Sequence, residues 1–403
     1  MNDTLSAAAE NSTGEATAAS HRPLRVLHVT SGNLYGGVET ILATLAERRK
    51  LCPEMAPSFA VCFEGRLSRE LAGTGAAVHP LRPVRVRHPW TVLRARRALS
   101  ELLGREPFDV VICHMAWTQA IFGPVVRAHG LPLIYYLHNR TDGRNWAERW
   151  ARLTVTPDLV LCVSQDTART CPNLYPDPPS QVFYSPLPLK SMRSSSAEER
   201  DQVRSELATP PDATVIIQVS RMEAWKGQTS LLEALARLRD RPEWVCWMVG
   251  GVQTAAEAAY ADSLRQLAER SGITGRVRFL GERSDVPRLL GAADVFCQPN
   301  RQSEGFSIVF MEAFLASLPI VTTAIGGALE LVDESCGVLL PMQDLDALTR
   351  ALERLIADPG QRTALGRAGN ARVHQMCDAE TQLRKLHGIL AAAAQGPFRS
   401  SRG

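Results

Sequence analysis

The sequence holds no C-x-x-C pair, no G-x-G-x-x-G turn after its first strand-like run, no Asp-x-Asp turn at a strand end and no long apolar run. Each absence removes a class of protein. The nine cysteines, at 52, 62, 113, 162, 171, 246, 297, 336 and 377, lack zinc-like spacing, and several lie inside apolar runs such as DVVICH and WVCWMV. They read as reduced core thiols of a cytoplasmic protein. Nothing approaches the roughly 20 apolar residues of a membrane span. The opening MNDTLSAAAENSTGEATAAS has no charged segment followed by an apolar one, so residues 1–22 are expected to be a disordered tail rather than a signal peptide. A formal net charge of only +3 implies no nucleic-acid partner and leaves anion binding to local clusters.

What is present is a rhythm. A chain of 403 residues exceeds what one hydrophobic core serves, so two domains are expected. Apolar, β-branched runs at 24–30, 58–62, 109–114, 131–138, 158–163 and 181–185 alternate with helical patterns. After a stretch rich in Pro, Ser and charge come further runs at 214–220, 244–251, 276–281, 294–299, 318–323 and 336–340. Continuous apolar strands separated by helices indicate parallel sheets covered on both faces. The fold class is therefore α/β, with a first domain over 23–190, a linker over 191–212 and a second domain over 213–375.

Ligands of open parallel sheets bind beyond the carboxyl ends of the strands, so the residues at those ends matter most. Gly36 and Gly37 follow the first run and precede an amphipathic helix near Val38, where backbone can approach an anion. Arg221 follows TVIIQVS, with Lys226 and a glycine five residues on; a guanidinium and an ammonium at a strand end suit a phosphate. Glu304 lies in the turn after DVFCQPN, and Glu312 stands inside the apolar run that continues from it. The N–H groups near Gly305, Phe306, Ser307 and Ile308 would lack intrahelical partners. A carboxylate buried beside Ile308, Val309, Met311 and Phe314 is unfavourable unless hydrogen-bonded, and hydroxyl-rich ligands supply donors.

These segments resemble family 4 glycosyltransferases of the GT-B fold. SEGFSIVFMEAF, with seven residues between its two glutamates, is similar to their E-x7-E donor motif. SRMEAWKG resembles their phosphate site, LYGGVET their N-terminal glycine loop, and AIGGALELV the segment after the next strand. The resemblance spans about residues 23–393 and implies two Rossmann-like domains facing a central cleft, with a last helix (376–393) crossing back to the first domain and a loose tail over 394–403. It implies that Arg221 and Lys226 hold the donor diphosphate, that Glu312 binds the ribose, and that Glu304 with the following N–H groups holds the sugar and phosphate. It matches His138 to the histidine near the reacting sugar, with His114 similarly placed. Retention at the anomeric carbon and no metal or other cofactor are implied as well. Ser307 and Ser317 stand where the family often has glycine.

The acceptor is expected to be a glycan or lipid-linked molecule of cell-surface polysaccharide or glycolipid synthesis. Arg82, Arg85, Arg87, Arg94, Arg96 and Arg97 with His88 and Trp90 form a basic, partly aromatic stretch whose helix should bury Val92, Ala95, Leu99 and Leu102. Through its outward arginines the protein could rest on an anionic membrane, placing it in the cytoplasm or peripherally on the inner face of the cytoplasmic membrane. HNRTDGRNWAERWAR is expected to line the acceptor cleft. Uridine diphosphate is preferred over guanosine diphosphate as the donor carrier. Two other readings compete: a non-catalytic sugar-nucleotide-binding partner subunit, and a dinucleotide-dependent oxidoreductase, against which the absent glycine fingerprint counts.

Overall fold

The computed structural model describes residues 22–32, 36–188, 196–241 and 243–396. Two parallel sheets form the frame. The first contains β1 (Leu24–Thr30), β2 (Met55–Val61), β3 (Ala77–Pro80), β4 (Val110–His114), β5 (Leu133–Leu137), β6 (Leu159–Cys162) and β7 (Ser180–Val182), in the order β3-β2-β1-β4-β5-β6-β7. The second contains β8 (Thr214–Val219), β9 (Trp244–Val249), β10 (Val277–Gly281), β11 (Val295–Gln298), β12 (Ile320–Thr323) and β13 (Gly337–Leu340), in the order β10-β9-β8-β11-β12-β13. Strand order reverses direction between β1 and β4, and again between β8 and β11. Those switch points open the crevices where ligands of such sheets bind.

The apolar runs become strands because helices cover both faces, and the residues of β4, β5, β6, β9, β11 and β12 are all buried. β3 escaped the sequence pattern. It is a half-exposed edge strand of four residues ending in Pro80, too short and mixed to show an apolar run.

The supposed linker over 191–212 is corrected in part, its residues 191–195 lying outside the described residues. The helix Ala197–Glu206 is part of the second domain: buried Arg204 donates to the carbonyls of Ala213 and Ala292 and to Asp294, and Arg200 reaches the other oxygen of Asp294 at 2.6 Å. Asp294 also accepts from the N–H of Val215. Two of the charges that suggested a solvated linker, Arg200 and Arg204, are thus spent on one carboxylate.

Residues 1–21 and 397–403, most of the two expected tails, also lie outside the described residues, whereas Arg22 pairs with Asp109 at 2.7 Å. The helix Pro359–Cys377 packs on the second domain, where Asn370 donates to the carbonyls of Phe314 and Leu315. Asp378 then caps the helix Ala379–Gln395, which packs against β4 and the first helix of the first domain through buried Leu383, Leu386 and Leu390, with Arg384 3.6 Å from Glu54. One apolar cluster runs from Val26 through Phe306 and Phe314 to Leu390, joining both domains. No helix among the described residues is long and apolar enough to cross a membrane.

Candidate active site

The cleft between the sheets has a volume of about 360 Å³ and is lined from the first domain by Gly36, Gly37 and Arg66 and from the second by Glu304, Phe306, Ser307, Ile308 and Glu312. Gly36 and Gly37 open the helix Gly37–Arg48, and a Cβ on Gly37 would lie 3.8 Å from Ile308 across the gap. Neither glycine has a positive φ; their value is room. The carboxylate of Glu39 accepts from the Gly36 N–H at 3.0 Å, and burial raises its pKa.

Three backbone segments stack at the centre of the cleft. A Cβ on Gly305 would fall 2.1 Å from the His138 carbonyl, and one on Gly327 would fall 2.0 Å from the Gly305 carbonyl. The loop before the helix Ile308–Leu315 is therefore wedged between the end of β5 in one domain and the turn after β12 in the other. Gly326, at φ +62, turns beneath it, and Gly327 donates its N–H to the Glu304 carbonyl at 2.9 Å. Only glycine permits such contact.

Lys226 and Glu304 meet at 2.7 Å, with Glu304 also accepting from Gln298 at 3.3 Å and Asn300 at 3.2 Å. The turn that delivers Lys226 ends at Gly227, whose φ of +80 and absent Cβ, which would lie 2.0 Å from the Pro299 carbonyl, let the two strand ends touch. Lys226 also sits 4.1 Å over the Trp225 ring. Arg221 is placed apart from this pair. It binds Glu223, lies 3.7 Å from Glu257 and lines an adjoining hollow that shares Arg66, Val219, Ser220, Arg283 and Val286 with the cleft.

The two glutamates lie on the turn and the helix that the sequence suggested. The helix begins at Ile308, so three residues separate it from Glu304, and Glu312 lies in its second turn, half-buried on the cleft wall. Ser307 caps the helix at φ −84, where glycine is not needed, and its hydroxyl is buried without a partner. Ser317 does adopt the left-handed conformation, at φ +57, that the replaced glycine would favour.

His138 follows β5 and belongs to a buried chain of imidazoles. Its Nε2 lies 3.0 Å from His114 Nδ1, and His114 Nε2 lies 3.1 Å from His28 Nδ1. Burial lowers the pKa of His28 and His138 to about 3, and that of His114 falls well below 6.5 through burial and its two neighbours. All three are neutral at physiological pH.

The family model for glycosyl transferases group 1 matches residues 199–372, and that for glycosyltransferase family 4 matches residues 35–187. The chain is a family 4 glycosyltransferase. It is 30% identical over 243 residues to a GDP-mannose-dependent monoacylated α-(1-6)-phosphatidylinositol monomannoside mannosyltransferase of Corynebacterium glutamicum, covering 58% of this chain and 62% of the relative. A related mannosyltransferase of Mycolicibacterium smegmatis is 28% identical over 70% of this chain and 78% of its own. Among solved structures, Anabaena HepE in complex with UDP superimposes with a TM-score of 0.80 at 22% identity, over 92% of this chain and all (100%) of that one. A glycosyltransferase from Rickettsia africae gives 0.81 at 18% identity, over 93% and 99%. At such identities the structures establish the GT-B fold.

Several residues of the transferase's site were not legible beforehand. Gln298 and Asn300 hold Glu304, and their only signal was the polar end of DVFCQPN. Glu330 accepts from the N–H groups of Gln165 and Asp166 and from the Tyr184 hydroxyl, latching the second domain onto the first, while Ser303 donates to Asp166 at 3.1 Å. An interdomain latch has no sequence period. The Asp-x-Asp of residues 344–346 is taken by local structure: Asp344 caps a helix and Asp346 pairs with Arg237. Among the described residues no group of three or more His, Cys, Asp or Glu could hold a metal.

On the outer face of the first domain, the helix Pro89–Arg105 buries Ala95, Leu99 and Leu102 as expected, with Val92 half-buried. Arg82, Arg85, Arg87, Arg94 and Arg97 are exposed beside Val86, Trp90 and Leu93. Arg96 instead points inward, donating to the carbonyls of Ile121 and Ala120. The helix Trp146–Thr154 carries two more exposed apolar residues, Trp146 and Leu153.

Proposed function

We propose that the protein transfers a hexose from a nucleotide diphosphate sugar to a lipid-linked or glycan acceptor, with retention and without a metal. The Lys226–Glu304 pair at the carboxyl edge of the second sheet, with Glu304 on the cleft wall and held by Gln298 and Asn300, carries this reading. A bound donor supplies its own charges and hydroxyls to that pair. Lys226 then turns to the diphosphate and Glu304 to the sugar hydroxyls. The free N–H groups of the first turn of the helix Ile308–Leu315 donate to phosphate oxygens, and Glu312 accepts from the ribose.

As the bond from the anomeric carbon to the phosphate oxygen breaks, the departing diphosphate gains negative charge that Lys226, Arg221 and those N–H groups offset. The acceptor hydroxyl attacks from the same face and gives its proton to the leaving phosphate oxygen. Closure across the Glu330 latch excludes water that would hydrolyse the donor.

The donor base is where the expectation moves. The relatives are named for GDP-mannose, so the preference for uridine diphosphate is not supported. Guanosine is favoured also by Glu282, an exposed carboxylate lining the hollow beside Arg221 and packed on Gly251. A carboxylate accepts from the paired N–H groups of guanine, whereas uracil flanks its one N–H with carbonyls that it repels. The relatives' names also favour a phosphoinositide-type glycolipid acceptor. The exposed arginines around Trp90 would meet the anionic membrane that bears it, consistent with a peripheral position on the inner face of the cytoplasmic membrane.

Transfer of radiolabelled mannose from GDP-mannose into an organic-extractable product, with EDTA present, tests the whole reading. Product that forms with GDP-mannose and not with UDP-hexoses supports it. Product only with UDP-hexoses would move the base, and a requirement for added metal would remove the cation role of Lys226 and Arg221.

A further inference from the structure

The chain of imidazoles has a direction, and hydrogen-bond counting fixes it. His28, on β1, is 1% exposed and stacks on Phe59 with centroids 5.3 Å apart; His114, at the end of β4, is 0% exposed; His138, beyond β5, is 7% exposed. The three strands are neighbours in the sheet, so the rings stand side by side across it. They do not converge on a point. Each neutral imidazole carries one N–H and one bare nitrogen, so the chain of two contacts can run only one way or the other.

If His138 donated from Nε2, His114 would donate from Nε2 to His28, and the remaining hydrogen would sit on His28 Nε2. That nitrogen is sealed from solvent and has no partner. A buried N–H without an acceptor is the less tolerated of the two orphans. In the opposite direction His28 Nδ1–H donates to His114, His114 Nδ1–H donates to His138 Nε2, and the sealed atom is a bare nitrogen. The hydrogen of His138 then sits on Nδ1, which has no hydrogen-bond partner among the described residues and, unlike His28 Nε2, is not sealed.

We infer that His28 and His114 are positioning residues that lock His138 in its Nδ1–H tautomer, making it a hydrogen-bond donor to the sugar or acceptor oxygen bound beside Gly305. A neutral histidine side chain in water carries its hydrogen mainly on Nε2, so without the chain His138 would offer a lone pair where a donor is needed. His138 is placed for this role by its carbonyl, which lies against Gly305 in the donor loop. The catalytic part of the inference rests on the transferase reading; the tautomer does not.

The test is nitrogen–proton correlation spectroscopy of the full chain labelled with ¹⁵N-histidine, assigned with H138Q, together with transfer kinetics of His28→Phe and His28→Gln. The wild type should show His138 protonated at Nδ1 and bare at Nε2. In His28→Phe, which cannot donate, His138 should populate the other tautomer and turnover should fall about tenfold or more. His28→Gln, whose amide can still donate to His114, should restore both. A wild-type His138 protonated at Nε2 overturns the inference whatever the activity, as would equal turnover losses in the two variants. If the wild type transfers no sugar from any donor while His138 is protonated at Nδ1, the transferase reading and the catalytic role fail and the tautomer lock stands.

Discussion

The two sheets reverse strand order in the same way, yet they furnish the cleft with opposite chemistry. At the mouth of the second sheet stand formal charges: Lys226 against Glu304, Arg221 between Glu223 and Glu257, Arg283 on Asp285. At the mouth of the first stand neutral rings, His28 and His114 sealed from water and His138 open to the cleft only at its outer nitrogen. A group that departs as a dianionic diphosphate needs cations and N–H dipoles, whereas an uncharged sugar hydroxyl needs direction more than charge. One topology thus serves two tasks, and the side chains at the strand ends decide which.

The comparison breaks most readily on the charged side. Lys226→Ala and Glu304→Ala should each reduce transfer by about a thousandfold or more if, as proposed, they act on the departing phosphate and the sugar; circular dichroism should show both variants folded. Activity within a few-fold of wild type in either would remove them from the site. Next is Gly305→Ala, which drives a methyl group into the His138 carbonyl and parts the two mouths. Displacement of the donor loop by about 1 Å corresponds to about a hundredfold loss in transfer, with Glu330→Gln, which weakens the latch and leaves the loop in place, losing far less.

The neutral side is sharpened by pH. In the unfolded chain the three histidines take up protons near their ordinary pKa of 6.5, whereas in the fold His28 and His138 stay neutral until about pH 3. Stability is therefore complete above pH 6.5 and is lost as pH falls below it, by about 1.4 kcal/mol per pH unit for each histidine involved. Urea denaturation at pH 7.5, 6.0 and 5.0 measures that slope, and His28→Gln should lower it; an unchanged slope would mean that His28 is not held neutral. The smallest effect is expected at the outer face. Arg94→Ala with Arg97→Ala should weaken sedimentation with anionic vesicles, by about 1 kcal/mol per arginine, and leave transfer to a water-soluble acceptor unchanged.

Much of this was readable from the chain. Twelve of the thirteen strands follow from apolar runs, most plainly the central ones, where burial on both faces writes itself into consecutive residues; β3, four half-exposed residues, does not. Lys226, Glu304 and Glu312 stood out because charge set among apolar residues or at a strand end is a local contradiction that a sequence displays. What stayed hidden depends on contacts between distant segments. Gly326 and Gly327 lie in AIGGALELV, which the resemblance marked, but their close contact with Glu304 and Gly305 shows only in the fold. His28 looks like one polar residue within β1 until two other strands bring His114 and His138 alongside. The arginines of the helix Ala197–Glu206 look solvated until Asp294 appears beneath them.

The account stands most directly on donor binding at the charged mouth. Isothermal titration of wild type and Lys226→Ala with GDP-mannose in EDTA measures it. We expect saturable binding to the wild type, weakened about a hundredfold or more in the variant, with UDP-hexoses binding less well. Equal affinity of the two proteins for GDP-mannose, or binding that appears only when metal is restored, would contradict the assignment of the Lys226–Glu304 pair as the donor site.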